Sequence, residues 1–529
     1  LQRLAGSRSE GEVPGTGVFG TVYESLSNQF NEKWGGFGDA PKFPRSMDLQ
    51  LLCRLGKHEQ YESAFPMVKK TLDCMMYGGI YDQIGGGFSR YSTDKQWLVP
   101  HFEKMLYDNA QLVDVFVTGI QVFEAPRYER IVRQTLEYIE REMTHPEGGF
   151  YSTQNAESEG EEGKYYVWEY EEFLEVVEDD PQGVADFFGV TEEGNFEGKN
   201  ILHVETPMEP FCQNTNRDPA EFQPLLNSAI TQLREHREQR IKPERDEKIL
   251  TDWNGLMIAS LARASFVLNE SSYRERAEKA LDFLLDHSVR DGLLYHVHKE
   301  GETHTPGFLD DYAFFVKALL EVFQRTGDPS RLKQAKEYFD RAVQRFWDDD
   351  NGGFTFTDER HADLLVRSKN PQDKAQPSGN SEMVLNALKL SALTTDSAYR
   401  EYASESLSTF SSMITQHSSG LSRMICGLYD FHVGAIEVVG VGGEAEIDSL
   451  FDPFREHYVP ACVRFPADEK TSHEISDHPL LTGRLNQPTP MVYLCEQGVC
   501  HQPVSEETEI LEQIRQFQKQ RDEVLGNAR

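Results

Sequence analysis

The stretch GFLDDYAFFVKALLEVFQRTGDPSRLKQAKEYFDRAVQRFWDDDNGGFTFTDE, residues 307–359, carries the pattern that decides the fold. Within it YAFFVKALLEVF, at 312–323, is apolar nearly all round, so a helix there needs cover on both sides. The following helix has one apolar stripe, Leu332, Ala335, Phe339, Ala342 and Phe346, recurring every three or four residues against a charged face. The stretch ends in a glycine turn carrying aromatics, NGGFTFTDE at 351–359. A fully covered helix, a half-covered helix and a glycine turn make one helical hairpin.

Turns of this kind recur as WGGFGDAPKFP at 34–44, GGIYDQIGGGFSRYS at 78–92, PEGGFYSTQNAES at 146–158, DGLLYHVHKEG at 291–301 and SGLSRMI at 419–425. With Gly36, Gly86, Gly149, Gly292, Gly352 and Gly420 as markers, the gaps are 50, 63, 143, 60 and 68 residues, and the long gap has room for a further hairpin plus an insertion. Repeats of this size are the signature of stacked helical hairpins. LMIASLARASFVL at 256–268 is a second all-round apolar helix, so an inner ring wrapped by an outer ring is expected over residues 1–432: an (α/α)6 toroid. A superhelical solenoid needs the same repeat, and closure is not readable from periodicity.

The region 180–245 breaks the pattern with Pro181, Gly194, Gly198, Pro207, Pro210 and the charged run REHREQRIKPERDEK. It reads as an insertion over one end of the barrel or as a solvated excursion. From 433 the period changes. AIEVVGV, ACVRFP and MVYLCEQG read as strands, SLFDPFREHYV and ETEILEQIRQF as helices, giving a small α/β appendage over 433–529.

Composition excludes several classes of function. The 529 residues carry 88 acidic against 53 basic side chains, a formal charge of −35, which argues against nucleic acid or an anionic membrane as main partner. An acidic surface suits solvent or a basic partner protein. No apolar run approaches the length of a membrane-spanning helix, and the opening LQRLAGSRSEGEVPG has no hydrophobic signal core. A soluble chain in a reducing compartment, the cytoplasm, is expected from seven scattered cysteines, with secretion left open because the N-terminus reads as incomplete. Cys495 and Cys500 in CEQGVC are spaced neither as a CxxC redox pair nor as a complete zinc set, so they are read as ordinary or weakly reactive thiols. No P-loop, dinucleotide fingerprint or HExxH motif is present, and no metal or cofactor is expected.

The candidate chemistry lies at the glycine turns and inner-helix starts. His101 and Glu103 precede one inner helix, Asp252 begins another, and Asp310 and Asp311 begin a third; these five are the candidate catalytic residues. Acidic groups at helix starts commonly act as caps. Parallel inner helices would bring them to one end of the barrel, where a carboxyl with a raised pKa serves as general acid or base. Substrate contacts are expected from Trp34, Phe37, Asp39, Lys42, Tyr91, Trp97, Asp108, Asn109, Trp253, Asn254, Tyr312, Asn380 and Glu382, with rings facing sugar C–H surfaces and polar groups facing hydroxyls. Histidine offers the rival mechanism. His101 is the first candidate, with His304 and His361 in loops or at element starts; of the alternating His296 and His298 only one can face a cleft.

GGFGDAPKFP, YDQIGGGFSRYSTDKQWLVPHFEKMLYDNAQL, LTDWNGLMI, GFLDDYAF, QPSGNS and the closing CxxxxC followed by Pro503 resemble segments of the YyaL-type thioredoxin-domain-containing family, whose animal members are spermatogenesis-associated. The matching segments span nearly the whole chain. The resemblance implies a thioredoxin-like domain upstream of these residues, which themselves carry no such motif. It also implies an (α/α)6 barrel related to N-acylglucosamine 2-epimerases, cellobiose epimerases and six-hairpin glycosidases, and a link to fertility. Those epimerases place paired histidines at inner-helix starts; here His101 matches one such position, and acids stand at the others. The function expected is a carbohydrate-active or carbohydrate-binding barrel taking a small saccharide. The alternatives are a non-catalytic protein-interaction scaffold and a redox-linked adaptor.

Overall fold

A computed structural model describes residues 11–360, 367–487, 490–496 and 499–526. His361 and residues 1–10 of the opening segment lie outside the described residues. The protein is mainly α-helical, a six-hairpin toroid followed by a strand-containing C-terminal region. Six helices form the inner ring: Ser46–Leu55, Leu106–Phe123, Thr251–Val267, Leu309–Thr326, Gly379–Thr394 and Ser422–Val433. Each packs on the next, and the last packs on the first, which closes the ring. Outer helices alternate with them: Gly17–Gln29, Ala64–Tyr77, Pro126–Met143, Ser271–His287, Pro329–Phe346 and Ser397–Thr409.

The two helix types in the sequence map onto the two rings. Leu309–Thr326 buries residues around its whole circumference, from Leu309 through Gln324. Pro329–Phe346 buries Leu332, Ala335, Tyr338, Phe339, Ala342 and Phe346 and leaves its charged face in water. Glycine is required where a turn meets an outer helix: Gly86 has φ +75°, and a Cβ there would lie 2.3 Å from the Gln134 carbonyl oxygen.

Between the second and third hairpins, helices Tyr170–Val176, Pro181–Phe187, Met208–Thr215 and Pro219–Arg237 share their own apolar cluster of Trp168, Phe173, Phe187, Phe211, Phe222 and Leu233. This unit sits on the segment leading into the Leu106–Phe123 helix. Phe102 stacks on Tyr166 at 5.5 Å, and Arg237 forms two hydrogen bonds to buried Asp82, at 2.9 and 3.0 Å. Lys104 reaches the same carboxylate at 2.9 Å, so one acid joins insertion and barrel.

The C-terminal strands run in the order Cys462–Ala467, Ile436–Val441, Met491–Glu496, Val499–Cys500; the first pair is parallel and the others antiparallel. The expected helix over SLFDPFREHYV is instead two short helices, Glu444–Leu450 and Asp452–Glu456, with Pro453 in the first turn of the second. This region caps the C-terminal ends of the inner helices: Phe323 meets Phe465 at 5.2 Å, and Gln121 donates to the Phe454 carbonyl at 2.9 Å. No helix among the described residues is long and apolar enough to cross a membrane.

Candidate active site

With one end of the ring capped, the other end gathers the starts of the inner helices. Four contacts between neighbouring inner helices record this convergence. Tyr107 meets Trp253 edge-on at 4.7 Å, the Asp252 amide donates to Asp311 at 3.1 Å, the Gly379 amide donates to Asp310 at 2.9 Å, and the Ser422 hydroxyl donates to Asp48. Positive helix ends therefore surround a mouth lined by carboxyls.

Asp252, Asp310 and Asp311 come together there, and His296 joins them from the Leu293–Lys299 strand. Asp311 is fully buried and its oxygens are occupied. They accept from the Phe308 amide at 2.7 Å, from the Asp252 amide, and from His296 Nδ1 at 2.9 Å. That contact fixes the ring orientation and leaves Nε2 as the second polar atom of the imidazole. Burial would lower the His296 pKa, but the Asp311 charge and hydrogen bond outweigh it and raise it to about 9. Asp252 Oδ1 accepts from the Trp253 amide at 2.8 Å, and Oδ2 accepts from Gln376 at 3.3 Å. Burial, then the charge of Asp311, raises the Asp252 carboxyl to about 7. Asp310 is likewise raised to about 7 by burial and by the charges of Asp252 and Asp311. Burial and neighbouring negative charge thus make both carboxyls harder to ionise than an ordinary aspartate.

Asp252, His296 and Asp311 are also the one set among the described residues with the spacing of a metal site, their ligand atoms lying within 4.8 Å of one another. Two amides and the imidazole already hold the Asp311 oxygens, which suits an orienting role for this carboxylate.

A second sector of the mouth holds His101, Glu103 and Asp108. His101 Nδ1 lies 2.7 Å from Glu162 on the short strand Glu161–Glu162, and its ring stacks on Tyr91 at 5.1 Å; Glu103 pairs with Arg90 at 3.2 Å. Asp108 is buried with Oδ2 lacking a hydrogen-bond partner, and burial pushes its carboxyl well up.

The other sequence candidates have mostly structural contacts. Asn109, Asn254 and Asn380 perform one repeated task. Each side-chain oxygen accepts the amide, and each side-chain nitrogen donates to the carbonyl, of the phenylalanine ending a Gly-Gly-Phe turn: Phe88, Phe150 and Phe354, at 2.7–3.0 Å. Tyr312 does similar work, its hydroxyl accepting the Leu294 amide at 3.1 Å. Trp97 is buried and donates to the Trp34 carbonyl at 2.9 Å, while buried Lys42 lies over the Trp97 ring and donates to the Lys95 carbonyl at 3.0 Å. Phe37 packs on Phe30, and Asp39 is exposed. Glu382 is fully buried in a bidentate pair with Arg423, at 2.8 and 2.9 Å. Burial would raise its carboxyl, but Arg423 and Lys317 hold it down at about 2.

Two groups at the mouth, Gln376 and Arg90, have no signal in the sequence reading, and a third, His296, is left there undecided against His298. His296 is the cleft-facing member of the alternating pair; His298 turns inward, bonding Thr303 at 2.9 Å. Gln376 lies inside the QPSGNS segment. Arg90 ends the Gly-Gly-Phe-Ser-Arg turn beside Glu103.

No protein-family model matches the chain. It is 32% identical to spermatogenesis-associated protein 20 of Homo sapiens, across 92% of this chain and 68% of that protein. An uncharacterized protein of Caenorhabditis elegans is 30% identical, across 94% of this chain and 74% of the other. Among solved structures, a D-mannose isomerase superposes with a TM-score of 0.50 at 11% identity, covering 78% of this chain and 97% of the isomerase; this likeness is one of fold.

Proposed function

The chain belongs to the spermatogenesis-associated protein 20 family, and from that premise we propose that it is a carbohydrate-active enzyme moving a proton on a small saccharide at the open mouth of the barrel. The observation that carries the reading is the carboxyl pair Asp252 and Asp310, both raised to about 7, beside an imidazole raised to about 9. Near neutral pH this cluster contains a carboxylate base and an imidazolium acid at the same time. The carboxylate takes the proton from the carbon beside a sugar carbonyl. His296 steadies the negative charge that develops on the carbonyl oxygen, and returns a proton to it. Asp311 is a positioning residue that keeps His296 charged and oriented. Trp253, half-buried and backed by Tyr107, offers a ring surface for the sugar. D-mannose isomerase names a reaction of this class on a sugar and identifies mannose among the first saccharides to try.

Glycoside hydrolysis is the second reading, because two carboxyls at neighbouring helix starts also suit an acid and a base flanking a glycosidic bond. The charge of −35 separately suits a basic protein partner whose binding weakens with salt.

The test is an NMR time course in heavy water with pooled neutral, amino and uronic mono- and disaccharides. Deuterium entering at C2 with a new epimer or ketose is expected, and Asp252→Asn should lower that turnover by about 10²–10⁴-fold. New reducing ends without C2 exchange would move the assignment to hydrolysis. Silence at high protein concentration would overturn the catalytic reading in favour of a binding role.

A further inference from the structure

At the opposite end of the inner helices from Asp252, a cleft of about 530 Å³ opens between the C-terminal sheet and the helices Gly379–Thr394 and Ser397–Thr409. Leu388, Ala392, Arg400, Val463 and Leu480 contribute to its walls, and Glu437, Cys495 and Cys500 complete them. The CEQGVC spacing reads as a pair of ordinary or weakly reactive thiols; in the structure Cys495 and Cys500 form a disulfide. The reason is register: the hairpin sets Cys495 directly opposite Cys500, and the next strand sets Glu437 directly opposite Cys495. Side chains paired this way share one face of a sheet. Cys500 is exposed and Cys495 is buried.

Three features separate this disulfide from a structural staple. Arg484 places one guanidinium nitrogen 2.8 Å from the Cys500 sulfur and 3.2 Å from the Cys495 sulfur. Glu437 is 6% exposed, and its Oε2 has no hydrogen-bond partner although it lines the cleft. A buried carboxyl with an idle oxygen is costly unless it has work in its protonated state. Bridging two residues across a six-residue hairpin also closes too short a loop to constrain the unfolded chain strongly.

We propose that Cys495–Cys500 is a thiol–disulfide exchange site for a small aliphatic dithiol, with Arg484 steadying charge on sulfur and Glu437 supplying the proton that the leaving sulfur takes up. A dithiol thiolate attacks the exposed Cys500 sulfur, having released its proton to solvent. A new S–S bond forms, the Cys495–Cys500 bond breaks, and Cys495 leaves as a thiolate that takes the Glu437 proton. The second thiol of the ligand loses its proton to the Glu437 carboxylate and attacks its own linked sulfur, releasing the Cys500 thiolate, which is protonated from solvent. The dithiol is oxidised by two electrons to a cyclic disulfide, and the protein disulfide is reduced to two thiols. The apolar walls and the cleft volume suit a small molecule.

Burial raises the Glu437 carboxyl to about 8 against a hydrogen bond from its own backbone amide, with Glu496 raising it further and Arg484 opposing. Lys389, Arg400 and Asp430 are the charged groups on the facing wall. The carboxyl thus keeps its proton at neutral pH and loses it as pH rises.

The full chain should be reduced with dithiothreitol from pH 6.5 to 9.5, with quenched alkylation read by mass spectrometry. Normalised to the thiolate present at each pH, the wild-type rate is expected to fall as pH rises through about 8. Glu437→Gln should be roughly ten-fold slower at pH 7 and flat across the range. An unchanged rate and profile in Glu437→Gln would overturn the proposal. So would a wild-type profile without the fall, which decides the matter even if the variant does not fold. With glutathione disulfide, Cys495→Ser should collect the adduct on Cys500 while Cys500→Ser leaves Cys495 unlabelled; the reverse would overturn the assignment of Cys500 as the attacked sulfur.

Discussion

The carboxyls at the mouth are buried against their own ionisation. Asp252 and Asp310 have pKa values raised from 3.8 to about 7, so folding opposes their ionisation. The sign follows: their contribution is most favourable below pH 3.8, where both folded and unfolded chains are protonated, and is lost as pH rises through about 7. Asp252→Asn or Asp310→Asn is therefore expected to stabilise the fold at pH 8, by on the order of 2 kcal/mol in urea unfolding, with the gain shrinking toward pH 4. A variant that loses turnover yet gains stability is the mark of a functional carboxyl; equal stability at both pH values would remove that role. For the proposed reaction, kcat/KM should rise through about 7 as the base ionises and fall through about 9 as His296 loses its proton.

At the scale of elements, the repeated device is an asparagine at an inner-helix start holding a Gly-Gly-Phe turn by both backbone groups of the phenylalanine. Asn254→Ala leaves the buried Phe150 amide and carbonyl unpaired, and is expected to cost about 2–4 kcal/mol in thermal or urea unfolding. A loss no larger than that of a surface substitution would contradict the clamp. Much of this level was legible in the sequence. All-round apolar helices, single-stripe helices and glycine turns each have a local cause, and the structure arranges them as two rings. The clamps were not legible, because an asparagine beside a helix start reads equally as a cap or as a ligand group. His296 was hidden for a similar reason: two histidines alternate on one strand, and only the packed hairpin decides which faces the mouth. The disulfide depends on strand register across a turn, which the CEQGVC spacing does not specify.

At the scale of the whole molecule, the ring is closed by its six hairpins, capped at one end by the C-terminal sheet, and held along its axis by buried ion pairs. Glu382 with Arg423 and Lys317, and Asp114 with Arg263, link inner helices that are distant in sequence. Glu382→Gln would leave cations buried without their partner and is expected to destabilise the fold by about 3–5 kcal/mol. Its carboxyl is lowered from 4.5 to about 2, so its stabilisation is full above 4.5 and is lost as pH falls toward 2; the variant should lack that acid dependence. Convergence of the helix starts needed both the ring closure and the capped opposite end, neither of which periodicity carries. The Asp252, Asp310 and Asp311 cluster follows from that convergence.

The central claim, that the mouth contains a charged imidazole held by Asp311 beside carboxyls poised near neutrality, is tested most directly by nitrogen-15 NMR of the histidine-labelled chain titrated from pH 6 to 10. The account expects His296 to stay doubly protonated until about pH 9, and its midpoint to move down toward 6.5 in Asp311→Asn. A neutral His296 ring at pH 7.5 in the wild-type chain would contradict it.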